Sequence, residues 1–352
     1  MARGRATSAD VAKLAGVSRT TVSVVLTDRQ DIHISPATRR RVFDAAERLD
    51  YHAHAPARQL AAGTSLTIGL VLRQSSEQVA GDALLGETLR GVTAAARAGG
   101  YRVLVEALPP GTGGYEEIVR SRQTDGIIVS GPRADDVALS NLARDDFPVI
   151  LQGWLPRLNL PSVDVDNRAG ARAAVELLVR QGHRSIGCIT NAPLAYTAAL
   201  ERLSGYREAL EASSIPFDPD RVVEAEFDAA SGYRAMRTLL DRSPGCTAVF
   251  VASDVVAFGA MGALRDGSRR VPEDVSVVAF DDIPLAAYFD PPLTTVRIPA
   301  FELGQAAGQA LLDRVVGRPV AARTLLPTEL VVRASAAPPP VPARAVGSPT
   351  GR

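Results

Sequence analysis

Residues 7–26, TSADVAKLAGVSRTTVSVVL, bring hydroxyl and basic side chains together at a spacing that could hold a polyanion. Hydroxyl and guanidinium groups donate hydrogen bonds to phosphates, and an arginine can also bind the edge of a guanine. Val11, Leu14 and Ala15 recur at helical spacing before Gly16, and a second helical pattern follows the glycine. We therefore predict two short helices joined by a glycine turn. This is the helix-turn-helix arrangement, whose second helix lies in the major groove of DNA.

The polar side of this segment defines the candidate DNA contacts. Thr7 or Ser8 is placed to cap the first helix and Ser18 the second, while Val22 and Val25 form the buried side of the second helix. The residues expected to face DNA lie at the helix starts, on the exposed face of the second helix or in the loop after it, and are Thr7, Ser18, Arg19, Thr20, Thr21, Ser23, Val24 and His33. An ordinary helical hairpin without a ligand shows the same apolar spacing, so the pattern alone leaves that alternative open.

A third helix is predicted after Ser35, which caps it, and Pro36, which suits its first position. Val42, Ala45 and Ala46 would close a small three-helix core. Residues 1–62 contain ten basic and six acidic side chains, an excess of four positive charges, although the whole chain has a formal net charge of zero. A locally basic segment in a neutral chain is compatible with a nucleic-acid partner.

The motifs D-V-A-K-L-A-G-V-S and T-T-V-S-x-V-L in this segment are more specific than the helical pattern. They resemble the DNA-binding head of the LacI/GalR family of bacterial transcription regulators. The resemblance implies sequence-specific binding of double-stranded operator DNA, with repression as the expected outcome. A homodimer on a near-palindromic operator is expected, because one short helix per protomer buries too little surface to select a site.

Residues 51–63, YHAHAPARQLAAG, could form only a short helix, and a helix of about eight residues is marginal alone in water. In the LacI/GalR family the matching segment is a hinge helix that pairs with its twin across the dimer and inserts a leucine into the minor groove. The resemblance assigns these roles to Ala57, Arg58 and Leu60. The alternative for Leu60 is packing on the next domain. No metal site is expected at the nearby histidines, since no further ligands accompany them.

From Ser65 onward, apolar runs alternate with amphipathic helical patterns. The first set of predicted strands consists of LTIGLVL, YRVLVEAL, DGIIVSG and FPVILQG. The second set begins with SVDVD and continues with SIGCIT, VVEAEF, TAVFVAS and VSVVAF. Such runs predict two doubly wound parallel sheets. Two α/β lobes facing each other across a cleft form the periplasmic-binding-protein architecture, in which a ligand meets the carboxyl ends of the strands.

The family resemblance continues through this body in V-D-N-R-A-G, R-L-x-G-Y-R, S-D-x-x-A-x-G-A and P-P-L-T-T-V-R. We expect an all-α helix-turn-helix head at 1–50, a hinge at 51–64, a two-lobe effector-binding and dimerisation body at 65–334, and a disordered proline-rich tail at 335–352. Within the body, the first lobe is assigned to about 65–163 and 296–324 and the second to about 164–295 and 325–334. The resemblance implies that the last helix returns to the first lobe.

The resemblance also implies a small-molecule effector in the cleft. Its effector residues carry over to Arg202, in E-R-L-S-G-Y, and Asp281, the first aspartate of F-D-D. An arginine fork and a carboxylate can hold the hydroxyls of a sugar, or a carboxylate or phosphate; a sugar or sugar derivative is the effector we expect. Further candidates lie at strand ends and are Ser253, Phe227, Trp154 and Tyr196. The alternatives are a structural ion pair between the lobes and, for the aromatic residues, packing in the core.

Composition excludes several classes of protein. The chain has 352 residues, 46% of them hydrophobic, which suits a globular protein of two or three domains. No apolar run approaches the roughly 20 residues that span a bilayer, and MARGRATSAD is not an export signal, so we expect a cytoplasmic protein without a membrane partner. Cys188 and Cys246 are expected to be buried thiols. An α/β enzyme is the alternative function, but the usual phosphate-binding and nucleophile motifs are lacking, so neither catalysis nor a cofactor is expected.

Overall fold

The computed structural model of the protein describes residues 6–26, 32–51, 64–111, 114–144 and 147–340. These residues form a small helical head and a larger α/β body, and each is described by itself. Within the described ranges, no helix combines the length and the apolar character that crossing a membrane requires.

The head consists of three helices, α1 (Ser8–Ala15), α2 (Arg19–Leu26) and α3 (Pro36–Arg48). Gly16 follows α1 with a φ of 65°, a left-handed conformation that glycine adopts at little cost, and so directs the chain into α2. Val11, Val22 and Val42, one from each helix, are fully or almost fully buried at the centre of the head. The predicted helix-turn-helix and third helix are confirmed.

The buried stripe of α1 differs from the sequence prediction at one position. Ala12 is buried together with Val11 and Ala15, whereas Leu14, which was expected in the stripe, is 45% exposed. Val11 and Ala15 lie one above the other on the helix, with Ala12 on one side of them and Leu14 on the other. The spacing therefore allows either Ala12 or Leu14 to join the buried stripe. The packing of α1 against the other two helices decides between them.

The helices of the body and its strands alternate along the chain. In chain order the strands are β1 (Thr67–Leu72), β2 (Arg102–Ala107), β3 (Gly126–Ser130), β4 (Val149–Gln152), β5 (Ser162–Val165), β6 (Ile186–Ile189), β7 (Val222–Val223), β8 (Ala248–Val251), β9 (Ser276–Asp281), β10 (Thr294–Arg297), β11 (Arg323–Leu326) and β12 (Glu329–Val331). The helices are α4 (Ser76–Gly81), α5 (Leu85–Ala98), α6 (Tyr115–Ser121), α7 (Val137–Leu142), α8 (Asn167–Arg180), α9 (Thr197–Ala212), α10 (Ala229–Arg242), α11 (Asp254–Asp266) and α12 (Ala300–Val315).

Each lobe is built on a six-stranded sheet. The strand order is β11-β5-β4-β3-β1-β2 in the first lobe and β12-β10-β9-β8-β6-β7 in the second. Parallel pairing runs through the middle of both sheets, with Ile68 opposite Gly126 in the first and Ile186 opposite Ala248 in the second, while β12 is antiparallel to β10. The predicted pair of doubly wound α/β lobes is confirmed.

One strand lies in the other sheet from the one predicted. SVDVD was expected to begin the second lobe, but β5 pairs in parallel with β4 and β11 and therefore belongs to the first sheet. The chain enters the second lobe only after Val165, leaves it after β10 and returns to it with β12. A strand buried on both faces looks the same in sequence whichever sheet it joins, so the pattern located the strand but not its neighbours.

Helix α12 packs closely against α5 on the first lobe, as the resemblance implied. A Cβ added to Gly91 of α5 would overlap the backbone carbonyl oxygen of Phe301. A Cβ at Gly304 of α12 would likewise overlap the carbonyl oxygen of Thr88. The two glycines let the helix backbones approach each other, which fixes the returning segment of the chain on the first lobe.

The first residues after β12 are ordered, contrary to the expectation of a disordered tail from 335. The Ser335 hydroxyl donates to the carbonyl oxygen of Val277 at 2.6 Å and accepts from the N–H of Thr294 at 2.8 Å. The carbonyl oxygen of Ala337 lies 2.8 Å from Nε2 of His183, which is fully buried. The proline-rich composition predicted disorder. It could not predict that Ser335 and Ala337 find hydrogen-bond partners on the second lobe. Residues 341–352 lie outside the described residues.

Candidate DNA-contacting face and effector cleft

The start of α1 is fixed by reciprocal hydrogen bonds between Thr7 and Asp10. The Thr7 side chain accepts from the N–H of Asp10, and the Asp10 carboxylate accepts from the Thr7 N–H at 2.8 Å and from the Thr7 hydroxyl at 2.7 Å. The bond from the hydroxyl, followed by the backbone bond, lowers the pKa of Asp10 below its ordinary value. Thr7, the first of the two candidates, is therefore the cap, and its side chain lies at the exposed start of the helix.

Helix α2 presents most of the residues expected to face DNA. Ser18 Oγ accepts from the N–H of Thr21 at 3.0 Å, and the two hydroxyls lie 2.9 Å apart. Arg19, Thr20 and Ser23 are exposed. A guanidinium and several hydroxyls thus surround the amino-terminal end of a helix, where N–H groups also point outward. This arrangement suits contact with a phosphate backbone and with base edges.

Val24 does not lie on this exposed face. It is only 6% exposed, although the sequence interpretation placed it beside Arg19, Thr20 and Ser23. Burial of the apolar Val24 side chain is favourable. A helix of only eight residues is too short for its apolar pattern to predict whether Val24 lies on the buried or the exposed face. His33, ahead of α3, is exposed as a DNA contact requires. Ala57, Arg58 and Leu60 fall outside the described residues, and their hinge roles stay predictions.

In the body, Arg202 of α9 and Asp281 at the end of β9 form a buried ion pair. Arg202 Nη1 lies 3.3 Å from Asp281 Oδ1 and donates to the carbonyl oxygen of Ala252 at 2.6 Å, while Nε donates to Asn167 Oδ1 at 2.9 Å. The guanidinium also lies 3.9 Å from the centre of the Phe280 ring. Arg202 and Asp281 are 6% and 7% exposed and both line the cleft. They belong to the same lobe, so they are not an ion pair between lobes.

Burial dominates the electrostatics of this pair. Desolvation raises the pKa of Asp281, opposed first by the charge of Arg202 and then by a hydrogen bond from Ser253. Desolvation also lowers the pKa of Arg202, opposed first by Asp281. Burial raises the pKa of the neighbouring Asp254 as well, and Asp281 adds to that effect. The positive charge of Arg202 is therefore already balanced inside the protein, and a ligand meets a polar pair with little net charge.

Phe227 and Tyr196 meet at the cleft in an edge-to-face contact, with ring centres 4.9 Å apart. Phe227 holds a left-handed φ of 68°, which is uncommon for a bulky residue, and its N–H donates to the carbonyl oxygen of Asn191. Tyr196 is only 4% exposed, and the Arg133 guanidinium lies 4.6 Å from the centre of its ring. Phe227 is therefore the better placed of the two for contact with a ligand.

Trp154 is not brought to the cleft, contrary to the sequence expectation. Its ring packs against the guanidinium of Arg323 at 3.9 Å. Trp154 is absent from the residues that line the cleft within the described part of the chain, whereas Gln152 and Gly153, just before it, are among them. A side chain that follows a parallel strand faces the cleft only if the conformation of the loop directs it there. The sequence does not specify that loop conformation.

Two family models match the chain, one to the head and one to the body. "Bacterial regulatory proteins, lacI family" matches residues 7–54, and "Periplasmic binding protein-like domain" matches residues 157–336. The HTH-type transcriptional regulator CelR of Thermobifida fusca is 36% identical over 344 residues, which cover 95% of this chain and 99% of that protein. The chain belongs to the LacI family. It is therefore a transcriptional regulator, and the alternative of an α/β enzyme is not supported.

Two solved structures extend this LacI-family likeness to the tertiary structure. A lac repressor dimer bound to operator and an anti-inducer has 30% sequence identity and a TM-score of 0.81, over 95% of this chain and all of that one. A CelR–cellobiose complex has 34% identity and a TM-score of 0.73, over 94% of this chain and all of that one. The two-lobe fold is thus shared along nearly the whole chain.

The cleft of this LacI-family chain also contains polar residues that the sequence reasoning missed. From the first lobe come Gln74, Gln78 and Asp82, and from the second Asn191 and Asp228. Gln74 and Asn191 follow β1 and β6 within two residues, so the rule that ligands meet strand carboxyl ends could have found them. Gln78 and Asp82 depend on α4, a short helix that was not predicted.

A short bridge joins the two lobes of this LacI-family body beside the cleft. Arg133, after β3, and Tyr196, after β6, form an isolated antiparallel bridge. The N–H of Ala134 donates to the carbonyl oxygen of Ala195 at 2.7 Å, and the N–H of Thr197 donates to that of Pro132 at 3.3 Å. The loops after two parallel strands, one in each lobe, therefore hold each other directly.

Proposed function

We propose that this chain is a homodimeric repressor that binds a near-palindromic operator and is controlled by a sugar-like molecule in the cleft between its lobes. One observation carries the proposal. A single chain combines a capped helix that exposes Arg19, Thr20 and Ser23 with a cleft built around the buried pair of Arg202 and Asp281. The first feature suits operator contact, and the second suits a polar ligand.

Dimerisation follows from the limited surface of one head. A single short helix contacts few base pairs, and a twofold axis doubles both the contacts and the length of the site. Relatives in structure support this, since the lac repressor described above is a dimer on its operator. Leu60, in the hinge, is proposed to enter the minor groove of the bent operator.

The sugar-like effector is proposed from the cleft chemistry together with the CelR–cellobiose complex. Arg202, Asp281, Ser253 and Phe227 combine a guanidinium, a carboxylate, a hydroxyl and an aromatic face. Effector control requires only that the ligand bind the DNA-bound and free forms with different affinities, a coupling of typically about 1 to 3 kcal/mol.

A gel-shift series with DNA from beside the gene of this chain tests the proposal. Arg19→Ala should weaken binding at least about 10-fold, because it removes a charge-assisted contact, whereas Arg40→Ala on α3 serves as a matched loss of one exposed arginine and should have a smaller effect. Leu60→Ala should weaken operator binding far more than binding to random DNA. A purified full-length chain that shifts no DNA, or a monomer by light scattering at binding concentrations, contradicts the proposal.

A further inference from the structure

The lining of the cleft carries an excess of negative charge. Its carboxylates come from both lobes and are Glu77, Asp82, Asp164, Asp228 and Asp281. Arg202 is the one cationic side chain that the described residues place in this lining, and it already pairs with Asp281 at 3.3 Å. An anionic ligand would therefore meet more carboxylates than it could find cations, in a partly buried site where charges are poorly screened.

Three amide oxygens in the same lining lack a hydrogen-bond donor among the described residues. Gln74 Oε1, Gln152 Oε1 and Asn191 Oδ1 are buried without a partner in this part of the chain. Asn191 as a whole is only 8% exposed. Gln74 uses its side chain to hydrogen-bond the Asp82 carboxylate, which can only accept, so its amide nitrogen is the donor and its oxygen stays available.

Unpaired buried acceptors select ligands that can donate. Leaving such an atom unpaired costs about 1 to 3 kcal/mol, and a donor from the ligand removes that cost. A phosphate or carboxylate cannot supply the donors, because its oxygens only accept. Hydroxyl groups can supply them, from both sides of the cleft at once, since Gln74 and Gln152 belong to the first lobe and Asn191 to the second.

From these two observations we infer that the cleft binds an uncharged ligand rich in hydroxyl groups and rejects the phosphorylated or acidic form of the same molecule. This inference rests on the proposed function, because it describes the effector of that site. The carboxylates repel an added negative charge, and the three amide oxygens bind hydroxyl donors that the anionic group cannot replace. The charge of Arg202 is already balanced by Asp281, and its Nε and Nη1 groups are engaged by Asn167, Asp281 and the Ala252 carbonyl, so it supplies no uncompensated cation to an anion.

A panel of matched pairs tests the inference on the full-length chain. The pairs are glucose and glucose 6-phosphate, ribose and ribose 5-phosphate, cellobiose and cellobionate, and cytidine and cytidine 5′-monophosphate. Thermal shift followed by calorimetric titration should find at least one uncharged member that binds. The anionic member of the same pair should bind at least about 10-fold more weakly. An anionic member that binds as well as its uncharged partner overturns the inference. A panel in which no uncharged member binds overturns it too.

Two variants test the two causes separately on the pair that binds. Glu77→Lys reverses one exposed charge in the lining and should reduce the preference for the uncharged member by on the order of 10-fold. Glu87→Lys, outside the lining but similarly exposed, should leave the preference unchanged. Equal preferences in the wild type and Glu77→Lys would contradict the electrostatic argument.

Asn191→Leu removes an unpaired acceptor while it keeps a side chain of the same branching and number of heavy atoms. It should weaken binding of the uncharged ligand about 10-fold. The melting temperature without ligand should not fall, because the substitution removes a buried oxygen that has no hydrogen-bond partner among the described residues. Thr124→Val removes another unpaired buried oxygen that does not line the cleft, and should leave ligand affinity unchanged. Wild-type affinity in Asn191→Leu contradicts the role of the amide oxygens.

Operator binding is measured in parallel with ligand binding. A chain that binds operator but prefers the anionic ligands contradicts only this inference. A chain that binds no DNA contradicts the proposed function.

Discussion

The hydroxyl of Tyr196, in the second lobe, donates a hydrogen bond of 2.6 Å to the backbone carbonyl oxygen of Arg73, in the first. Arg73 is itself held in place, since its Nε lies 3.0 Å from Asp136 and its Nη1 donates to the carbonyl oxygen of Leu108. Tyr196 thus connects the second lobe to a residue of the first lobe that is itself held by two further contacts. Because Tyr196 also lines the cleft, the residue that joins the lobes lies at the candidate ligand site.

Tyr196→Phe should loosen this connection and weaken ligand binding several-fold, because the cleft would be less often in the arrangement seen here. Calorimetric titration with the uncharged panel member that binds measures the effect. Tyr206→Phe is the matched control: its buried hydroxyl donates to the carbonyl oxygen of Ile186 within one lobe, so it should lower stability but not ligand affinity. Equal affinity losses in the two variants would mean that Tyr196 acts only through general stability.

Asp281→Asn should abolish the effect of the ligand on operator binding while operator binding without ligand is retained. The substitution keeps the shape of the side chain but removes the charge that balances Arg202, and a buried cation without its partner costs up to about 3 to 5 kcal/mol. Gel shifts with and without ligand measure the response. Asp282→Asn alters the neighbouring carboxylate, which pairs with Arg297 at 2.7 Å and Arg333 at 2.6 Å, and should keep the response. A wild-type response in Asp281→Asn would remove that residue from the effector site.

Stability should depend on pH through Asp164, the next-to-last residue of β5, which lines the cleft. Burial raises its pKa from 3.8 to about 6, against the opposing hydrogen bond from the Val165 N–H. The folded protein therefore binds this proton more tightly than the unfolded chain does. The resulting stabilisation is complete below about pH 4, is lost as the pH rises through 6, and amounts to on the order of 3 kcal/mol.

Asp164→Asn should remove that dependence, so its melting temperature relative to the wild type should rise between pH 5 and about pH 7.5. Asp274→Asn is the control. Arg270 lowers the pKa of this half-buried carboxylate to about 2, so its charge does not change over the same range. A relative melting temperature that is constant with pH in Asp164→Asn would contradict the assigned pKa.

Deletion of residues 335–352 should lower the melting temperature, whereas deletion of 341–352 should have little effect. The longer deletion removes the partners of the Thr294 N–H and of His183, both in the second lobe, and unpaired buried groups of this kind cost about 1 to 3 kcal/mol each. Differential scanning fluorimetry of the two truncated chains gives the comparison. Identical melting temperatures would show that residues 335–340 do not stabilise the lobe.

Local sequence determined the helices and strands of this protein and marked two of its candidate site residues. Gly16 at a left-handed turn, the caps at Thr7 and Ser18, and the alternation of apolar runs with helical patterns all act over a few residues. The motifs that contain Arg202 and Asp281 likewise marked two side chains that lie together in the structure, although 79 positions separate them in sequence.

The tertiary structure decided which of several equivalent partners each element took. It placed β5 in the first sheet, turned Trp154 onto Arg323, buried Val24 and docked Ser335 on the second lobe. Each outcome depends on contacts between distant segments, whose free energy comes from burial and from pairing of polar atoms in the assembled molecule. Periodicity and propensity describe one segment at a time, so they leave such choices open, and packing settles them.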